Sequence, residues 1–276
     1  MPEWMVESSQ LSDVGQKRRC NEDYVSFYDP GCSAKLETHG RLYVLADGVG
    51  GAAAGEVASQ YTVKKIIHAY YQGAHDEPAA LLQQAIEGAN ADVFAKNLNQ
   101  PDHREMATTV VAAVVHGDEL IVANVGDSRA YLIRKGAIEQ ITEDHSLVAE
   151  MINDGSITAE QAETHPYRNV ILRSIGAHES VKVDLFFRQI APDDVLVLCS
   201  DGLTRHVNKD ELADITRTRS PAEAARHLVM LSNERGGFDN ITVSITRITR
   251  DRVQGEATAG EELPEAPNWD DLCPSQ

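Results

Sequence analysis

The chain has 276 residues, 42% of them hydrophobic, which is enough to bury a sizeable core and points to a globular protein. Its formal net charge of −18 disfavours nucleic acid, whose binders need basic patches, and suits the binding of cations. The N-terminus has no basic segment followed by an apolar one, as a signal peptide would, and no apolar run approaches the ~18–20 residues that span a bilayer, so the expectation is a soluble cytoplasmic protein without a membrane contact.

In chain order, residues 5–12 read as an opening strand that turns at Ser12-Asp13-Val14-Gly15. A polar segment follows, Gln16-Lys17-Arg18-Arg19-Cys20-Asn21-Glu22-Asp23, and then a short strand over 24–28 and a loop over 29–40. The run Arg41-Leu42-Tyr43-Val44-Leu45-Ala46-Asp47-Gly48 is apolar until it ends in an aspartate and a glycine, the pattern of a buried strand with a carboxylate at its tip. Apolar residues Val63, Ile66, Ile67 and Tyr70 recur at helical spacing and predict a helix over 53–71; Leu82, Ile86, Ala89 and Val93 predict another over 78–98, with Pro78 near its start.

Strands dominate the middle, over 108–115, 119–125, 130–133 and 138–141, with short turns that predict antiparallel neighbours. Residues 145–154 and the stretch after Ser156-Ile157-Thr158 read as short helices inside a polar segment, 142–180, with the character of a flap. Strands over 182–188 and 195–199 lead to a second Asp-Gly, Asp201-Gly202, and then to helices over 210–216 and 222–235, the latter entered through Ser220-Pro221. Phe238-Asp239-Asn240 opens a last strand over 241–248. Two long helices followed by hairpins indicate an α+β fold. Residues 251–276 hold seven acids against Arg252 without periodicity and read as an acidic, disordered tail beyond a domain over 1–250. The four cysteines, Cys20, Cys32, Cys199 and Cys273, have no metal-binding or framework spacing and read as reduced thiols.

A lone Asp-Gly after a strand is most often only a turn, because turns favour both residues. Here, however, acids recur at strand ends and turns: Glu22-Asp23, Asp47, Asp127, Asp201 and Asp239. Carboxylate, carbonyl and water oxygens are the ligands of hard cations such as Mg²⁺ and Mn²⁺. Two such ions about 3.5–4 Å apart make a nucleophile from water at neutral pH, and Arg18 is suited to hold a phosphate bidentately.

In their order and spacing, Ser12-Asp13-Val14-Gly15-Gln16-Lys17-Arg18-Arg19-Cys20-Asn21-Glu22-Asp23, Ala46-Asp47-Gly48-Val49-Gly50-Gly51, Ala107-Thr108-Thr109, Gly126-Asp127-Ser128-Arg129, Ser200-Asp201-Gly202 and Phe238-Asp239-Asn240 resemble the successive motifs of the metal-dependent (PPM, type-2C) serine/threonine protein phosphatases, in their compact bacterial form. The resemblance covers about residues 8–248. It implies a four-layer α-β-β-α sandwich of two antiparallel sheets flanked by helices, and hydrolysis of phosphoserine and phosphothreonine by attack of a dimetal-bound hydroxide, opposing a serine/threonine kinase. It also implies roles by position. Asp47 would bridge two Mg²⁺ or Mn²⁺ ions; Asp201 and Asp239 would hold the first; Glu22 and the Gly48 carbonyl would hold the second, with Asp23 acting through water. Asp127 with Asp201 would form a third, weaker site, Arg18 would bind the phosphate, and Asn240 would be a secondary member. The partners implied are phosphorylated proteins, met by a monomeric enzyme.

Some relatives carry a histidine after the Asp-Gly as general acid, where this chain has Val49. His145, His165, His178 and His206 are replacements only by default, since most histidines are ordinary surface or core residues. A catalytically silent metal-binding relative is the alternative from another class, and the intact set of acids favours the enzyme. A two-metal phosphoesterase acting on nucleic acid is disfavoured by the acidic body.

Overall fold

The computed structural model describes residues 4–31, 33–49, 53–73, 77–99, 106–250, 263 and 265–268. The elements run β1 (Trp4–Asp13), β2 (Asp23–Tyr28), α1 (Ser33–His39), β3 (Arg41–Val49), α2 (Ala53–Gln72), α3 (Pro78–Leu98), β4 (Ala107–Thr108), β5 (Val110–His116), β6 (Glu119–Val125), β7 (Arg129–Arg134), β8 (Ala137–Gln140), α4 (Leu147–Asn153), α5 (Ala159–Glu163), β9 (Asp184–Gln189), β10 (Asp194–Cys199), α6 (Asp201–Thr204), α7 (Lys209–Thr218), α8 (Pro221–Glu234) and β11 (Ile241–Arg250). One antiparallel sheet has the order β1-β11-β10-β7-β8; the other has the order β2-β3-β5-β6-β9, with β4 beside β3.

Period-two patterning in the strands builds three apolar layers. In β3, Leu42, Val44 and Ala46 face α2 and α3, while Tyr43 and Leu45 face the other sheet. In β10, Val195, Val197 and Cys199 pack under α7 and α8, while Leu196 and Leu198 face inward between the sheets. The result is the four-layer α-β-β-α sandwich. Each Val, Leu or Ile so buried contributes about 1.5–3 kcal/mol, and these layers hold the acids at the sheet ends against their mutual repulsion. Helix entries follow local chemistry: the Ser220 hydroxyl accepts from the Glu223 N–H, with Pro221 in the first turn, and Thr158 and Asn208 form the same capping box with Gln161 and Glu211.

The structure departs from the sequence reading at three places. Residues 33–39 form a helix inside the expected loop, where Leu36 supplies too short an apolar pattern to be read. Asp201-Gly202 begins the single-turn α6 rather than a simple turn. The expected run of hairpins is also broken, because β6 and β7 lie in different sheets. The link Gly126-Asp127-Ser128 crosses the sandwich, with Gly126 at φ 115°, a conformation open to glycine and costly for other residues.

No helix among the described residues is long and apolar enough to cross a membrane. Cys20 and Cys199 are free thiols, while Cys32, Cys273, Gly50, Gly51 and most of 251–276 lie outside the described residues. Within that C-terminal segment, Leu263 packs against the core of α2, α3 and β3.

Candidate metal centre

Strand alternation aims the acids at one another. Asp23 continues the inward face of Val25 and Phe27, and Asp47 continues that of Tyr43 and Leu45. The two aspartates are direct cross-strand partners in the β2–β3 ladder. Like charges in that relation repel, so the pairing is unfavourable for the protein alone and favourable once a cation lies between them. β11 and α6 bring Asp239 and Asp201 to the same end, because β10 and β11 pair antiparallel from Cys199↔Val243 onward.

The surrounding motif residues hold backbone. The Asp47 N–H donates to Thr109 Oγ1 at 3.0 Å, and its carbonyl accepts from Thr108 Oγ1 at 2.7 Å and from the Thr109 N–H at 2.8 Å. Ser128 meets Thr109 Oγ1 at 2.7 Å, tying the Asp127 link to Asp47. Ser200 joins the sheets: its hydroxyl donates to Asp23 Oδ2 at 2.8 Å and accepts from the Thr242 N–H at 3.0 Å.

Asn240 acts through the same kind of bracing. Its Oδ1 accepts from the Glu22 N–H at 2.8 Å, and its Nδ2 donates to the carbonyls of Val14 and Cys20 at 2.9 and 3.0 Å. It therefore positions the segment that carries Arg18 and Glu22. The buried Glu22 lies against Gly55, where a Cβ would overlap its carboxylate, and the Gly48 N–H donates to the Glu22 carbonyl at 3.0 Å.

Crowding is visible in the electrostatics. Burial, and then the charges of Asp23, Asp201, Asp127 and Asp239, hold the Asp47 carboxyl well above the usual carboxylate range. Burial pushes Asp23 up to about 7, with the charges of Asp201 and Asp239 adding and hydrogen bonds from Thr242 and Ser200 opposing. Burial and the charges of Asp201 and Asp144 push Asp127 up to about 7 against its own backbone N–H and Arg205. Asp201 is also raised by burial, which Arg205 opposes and Asp239 reinforces. A buried oxygen on each of Asp23 and Asp127, Oδ1 in both, has no hydrogen-bond partner among the described residues, and such atoms are costly unless something satisfies them. An all-oxygen, anionic donor set with orphaned oxygens fits a hard divalent cation.

Two arginines complete the cluster. Arg18 is bidentate to Asp239, Nε to Oδ1 at 2.8 Å and Nη2 to Oδ2 at 2.9 Å. Arg205 pairs with Asp201 and reaches Asp239 Oδ2 at 3.5 Å. As these side chains stand, no three acidic, histidine or cysteine groups among the described residues are gathered tightly enough to chelate an ion. Asp201 and Asp239 are turned to guanidinium groups instead.

Arg205 is the member that sequence reasoning missed; its spacing of four from Asp201 was the available signal, once α6 is recognised as a helical turn. Among the histidines, His145 and His206 make structural contacts. His145 Nδ1 accepts from the Gly126 N–H at 3.0 Å, and its Nε2 lies 3.0 Å from Asp184 Oδ2, so it braces the link that carries Asp127. Its pKa is lowered, by burial first. His206 stacks on Phe238, with ring centroids 5.5 Å apart. Val49 pairs with Ala107 at the end of β3.

Close backbone approach also fixes the site. A Cβ on Gly202 would overlap the Asn240 carbonyl oxygen. Gly202→Ala is therefore expected to destabilise the protein by about 1–3 kcal/mol, the usual cost of overpacking, read as a lower denaturant midpoint. Gly88→Ala, where an added Cβ meets nothing within 4 Å, should raise the midpoint, as alanine does in a helix.

Comparison with known proteins gives consistent matches. The family model for protein phosphatase 2C matches residues 16–234. The chain is 36% identical over 248 residues to the serine/threonine phosphatase stp of Listeria monocytogenes serotype 4b (strain F2365), covering 88% of this chain and 95% of that one. It superposes on the S. agalactiae serine/threonine phosphatase with a TM-score of 0.80 at 34% identity, over 88% of this chain and 99% of that one. It matches the catalytic domain of serine threonine protein phosphatase PstP in complex with two manganese ions with a TM-score of 0.78 at 33% identity, over 90% and 100% of the two chains.

Proposed function

The chain belongs to the protein phosphatase 2C family, and we propose that it hydrolyses phosphoserine and phosphothreonine on proteins at the end of the sandwich where Asp23, Asp47, Asp127, Asp201 and Asp239 meet. The observation that carries this reading is the direct pairing of Asp23 with Asp47 on neighbouring strands of one sheet, where the charges of Asp201 and Asp239 press on both. We assign two divalent ions to this end, Mn²⁺ or Mg²⁺. Asp47 would bridge them, Asp201 and Asp239 would hold one, and Glu22 and the Gly48 carbonyl would hold the other, with Asp23 acting through water. Asp127 with Asp201 would take a weaker third ion.

When bound, such ions supply a strong nucleophile from water and Lewis acidity toward phosphoryl oxygens. The protein's own groups do the rest. β2 and β3 fix the spacing of Asp23 and Asp47 through their ladder, so the carboxylates need no rearrangement during the reaction. Thr108 and Thr109 hold the Asp47 backbone, and Asn240 holds the loop that carries Arg18. Arg18, already configured for bidentate contact with a carboxylate, would orient the phosphate. The natural antagonist would be a serine/threonine kinase.

The test is a phosphothreonine peptide assay of purified protein with Mn²⁺, with Mg²⁺ and with excess chelator. Release of phosphate with either ion, and loss of it with chelator, is the expected result. Metal-independent release, or preference for phosphotyrosine, would reject the reading.

A further inference from the structure

We propose that Arg205 is a second phosphate-binding arginine, forming with Arg18 a two-guanidinium clamp for the substrate's phosphoryl group. The inference rests on the functional reading above and extends it to a residue that the motifs do not contain. Its basis is the environment of one carboxylate. Asp239 is gripped at both oxygens by Arg18, at 2.8 and 2.9 Å, and its Oδ2 is approached by Arg205 Nη1 at 3.5 Å. Two forks therefore converge on one anion from different parts of the chain, one from the loop after β1 and one from the C-cap of α6.

A phosphoryl group offers guanidinium the same bidentate edge as a carboxylate, with more charge and a third oxygen. The Asp239 carboxylate thus marks the kind of anion that the clamp takes. If Asp239 and Asp201 turn their oxygens to the two ions, the N–H groups now spent on them are released toward the cleft, and each guanidinium carries five donors that need acceptors.

Arg205 is placed for this role by the same turn that places a ligand. It lies four residues after Asp201, its backbone N–H donates to the Asp201 carbonyl at 3.0 Å, and its other fork pairs with the Asp201 side chain. Its side chain is 27% exposed, against 44% for Arg18, so it is the more firmly held of the two. The clamp also answers a charge problem. A phosphopeptide must approach a site lined by five aspartates on a chain of net charge −18, and one half-exposed arginine offers little against that field.

The experiment compares wild type, Arg205→Gln and Arg205→Lys, each saturated with Mn²⁺. Inorganic phosphate is titrated by calorimetry, and KM and kcat are measured on a phosphothreonine peptide. Arg205→Gln should weaken phosphate binding about tenfold, the scale of one charge-assisted hydrogen bond, raise KM by a similar factor and leave kcat within about threefold. Arg205→Lys should recover part of both losses, because the charge remains and the fork does not. Unchanged phosphate affinity and KM, with tighter Mn²⁺ binding, would overturn the proposal and leave Arg205 as a counter-ion of Asp201 and Asp239 alone. A fall in kcat at unchanged phosphate affinity would overturn it as well. Phosphate binding that depends on Arg205 in a wild-type protein that cleaves no phosphothreonine peptide would support the clamp while rejecting the functional reading.

Discussion

Asp47→Asn is expected to lower Mn²⁺-dependent turnover of a phosphothreonine peptide by about 1000-fold or more, the scale set by removing a group that organises transition-state charge. The same substitution should raise the melting temperature of the metal-free protein. The two effects have one cause. In the folded chain Asp47 is desolvated and surrounded by the charges of Asp23, Asp201, Asp127 and Asp239. An amide of the same shape removes the repulsion and the burial cost of a charge. The backbone bonds from Thr108 and Thr109 do not involve the carboxylate and should survive. A site that is costly to the fold and indispensable to the chemistry is the usual stability–function conflict. Turnover within tenfold of wild type would remove Asp47 from the centre. A lower melting temperature in the variant would show that the carboxylate is satisfied in some other way.

The second large effect is on pH. Asp23 and Asp127 have folded-state values of about 7 against 3.8 in the unfolded chain. Between those values the folded state keeps protons that the unfolded state has released, so stability is highest at the acidic side and is lost as pH rises through about 7. The metal-free protein should therefore melt at a lower temperature at pH 8 than at pH 5.5. His145 and His206 pull the other way around neutrality, since burial lowers both, but the four raised aspartates outnumber them.

Saturating Mn²⁺ should reverse the trend, because ions bind the deprotonated carboxylates and stabilise the state that they bind. The rise in melting temperature on adding Mn²⁺ should accordingly be larger at pH 8 than at pH 5.5. Thermal melts with and without Mn²⁺ at the two pH values decide it, and a metal-free protein that is more stable at pH 8 would refute the crowding. The pair Asp23→Asn with Asp127→Asn should flatten the metal-free profile.

How much of this was legible beforehand differs from residue to residue. Asp47 was marked by the apolar run that ends in it, and α3 and α8 by helical periodicity with Pro78 and Pro221 at their starts. Asp201 was recognised as an acid at a strand end, although the helical turn that begins there was not. Arg205 is hidden in the sequence for the same reason: its relation to Asp201 exists only once residues 201–204 are helical. The sequence puts Asn240 beside Asp239 but gives it no role, because its three hydrogen bonds to residues 14–22 cross more than two hundred positions of chain. The crossing at Gly126 reads in the sequence as one more hairpin turn, because a short polar link looks the same whether the next strand joins the same sheet or the opposite one.

By itself the sequence determined which groups are available and how each short stretch behaves: acids at strand tips, caps at helix starts, faces that alternate. Those properties depend on a residue and its near neighbours along the chain. Only the tertiary structure decided that Asp23 and Asp47 share a rung, that Ser200 links the two sheets through Asp23, and that two arginines from opposite ends of the chain close on Asp239. Such relations depend on strand register and sheet packing between segments far apart, where a shift of one residue would turn each carboxylate to the opposite face.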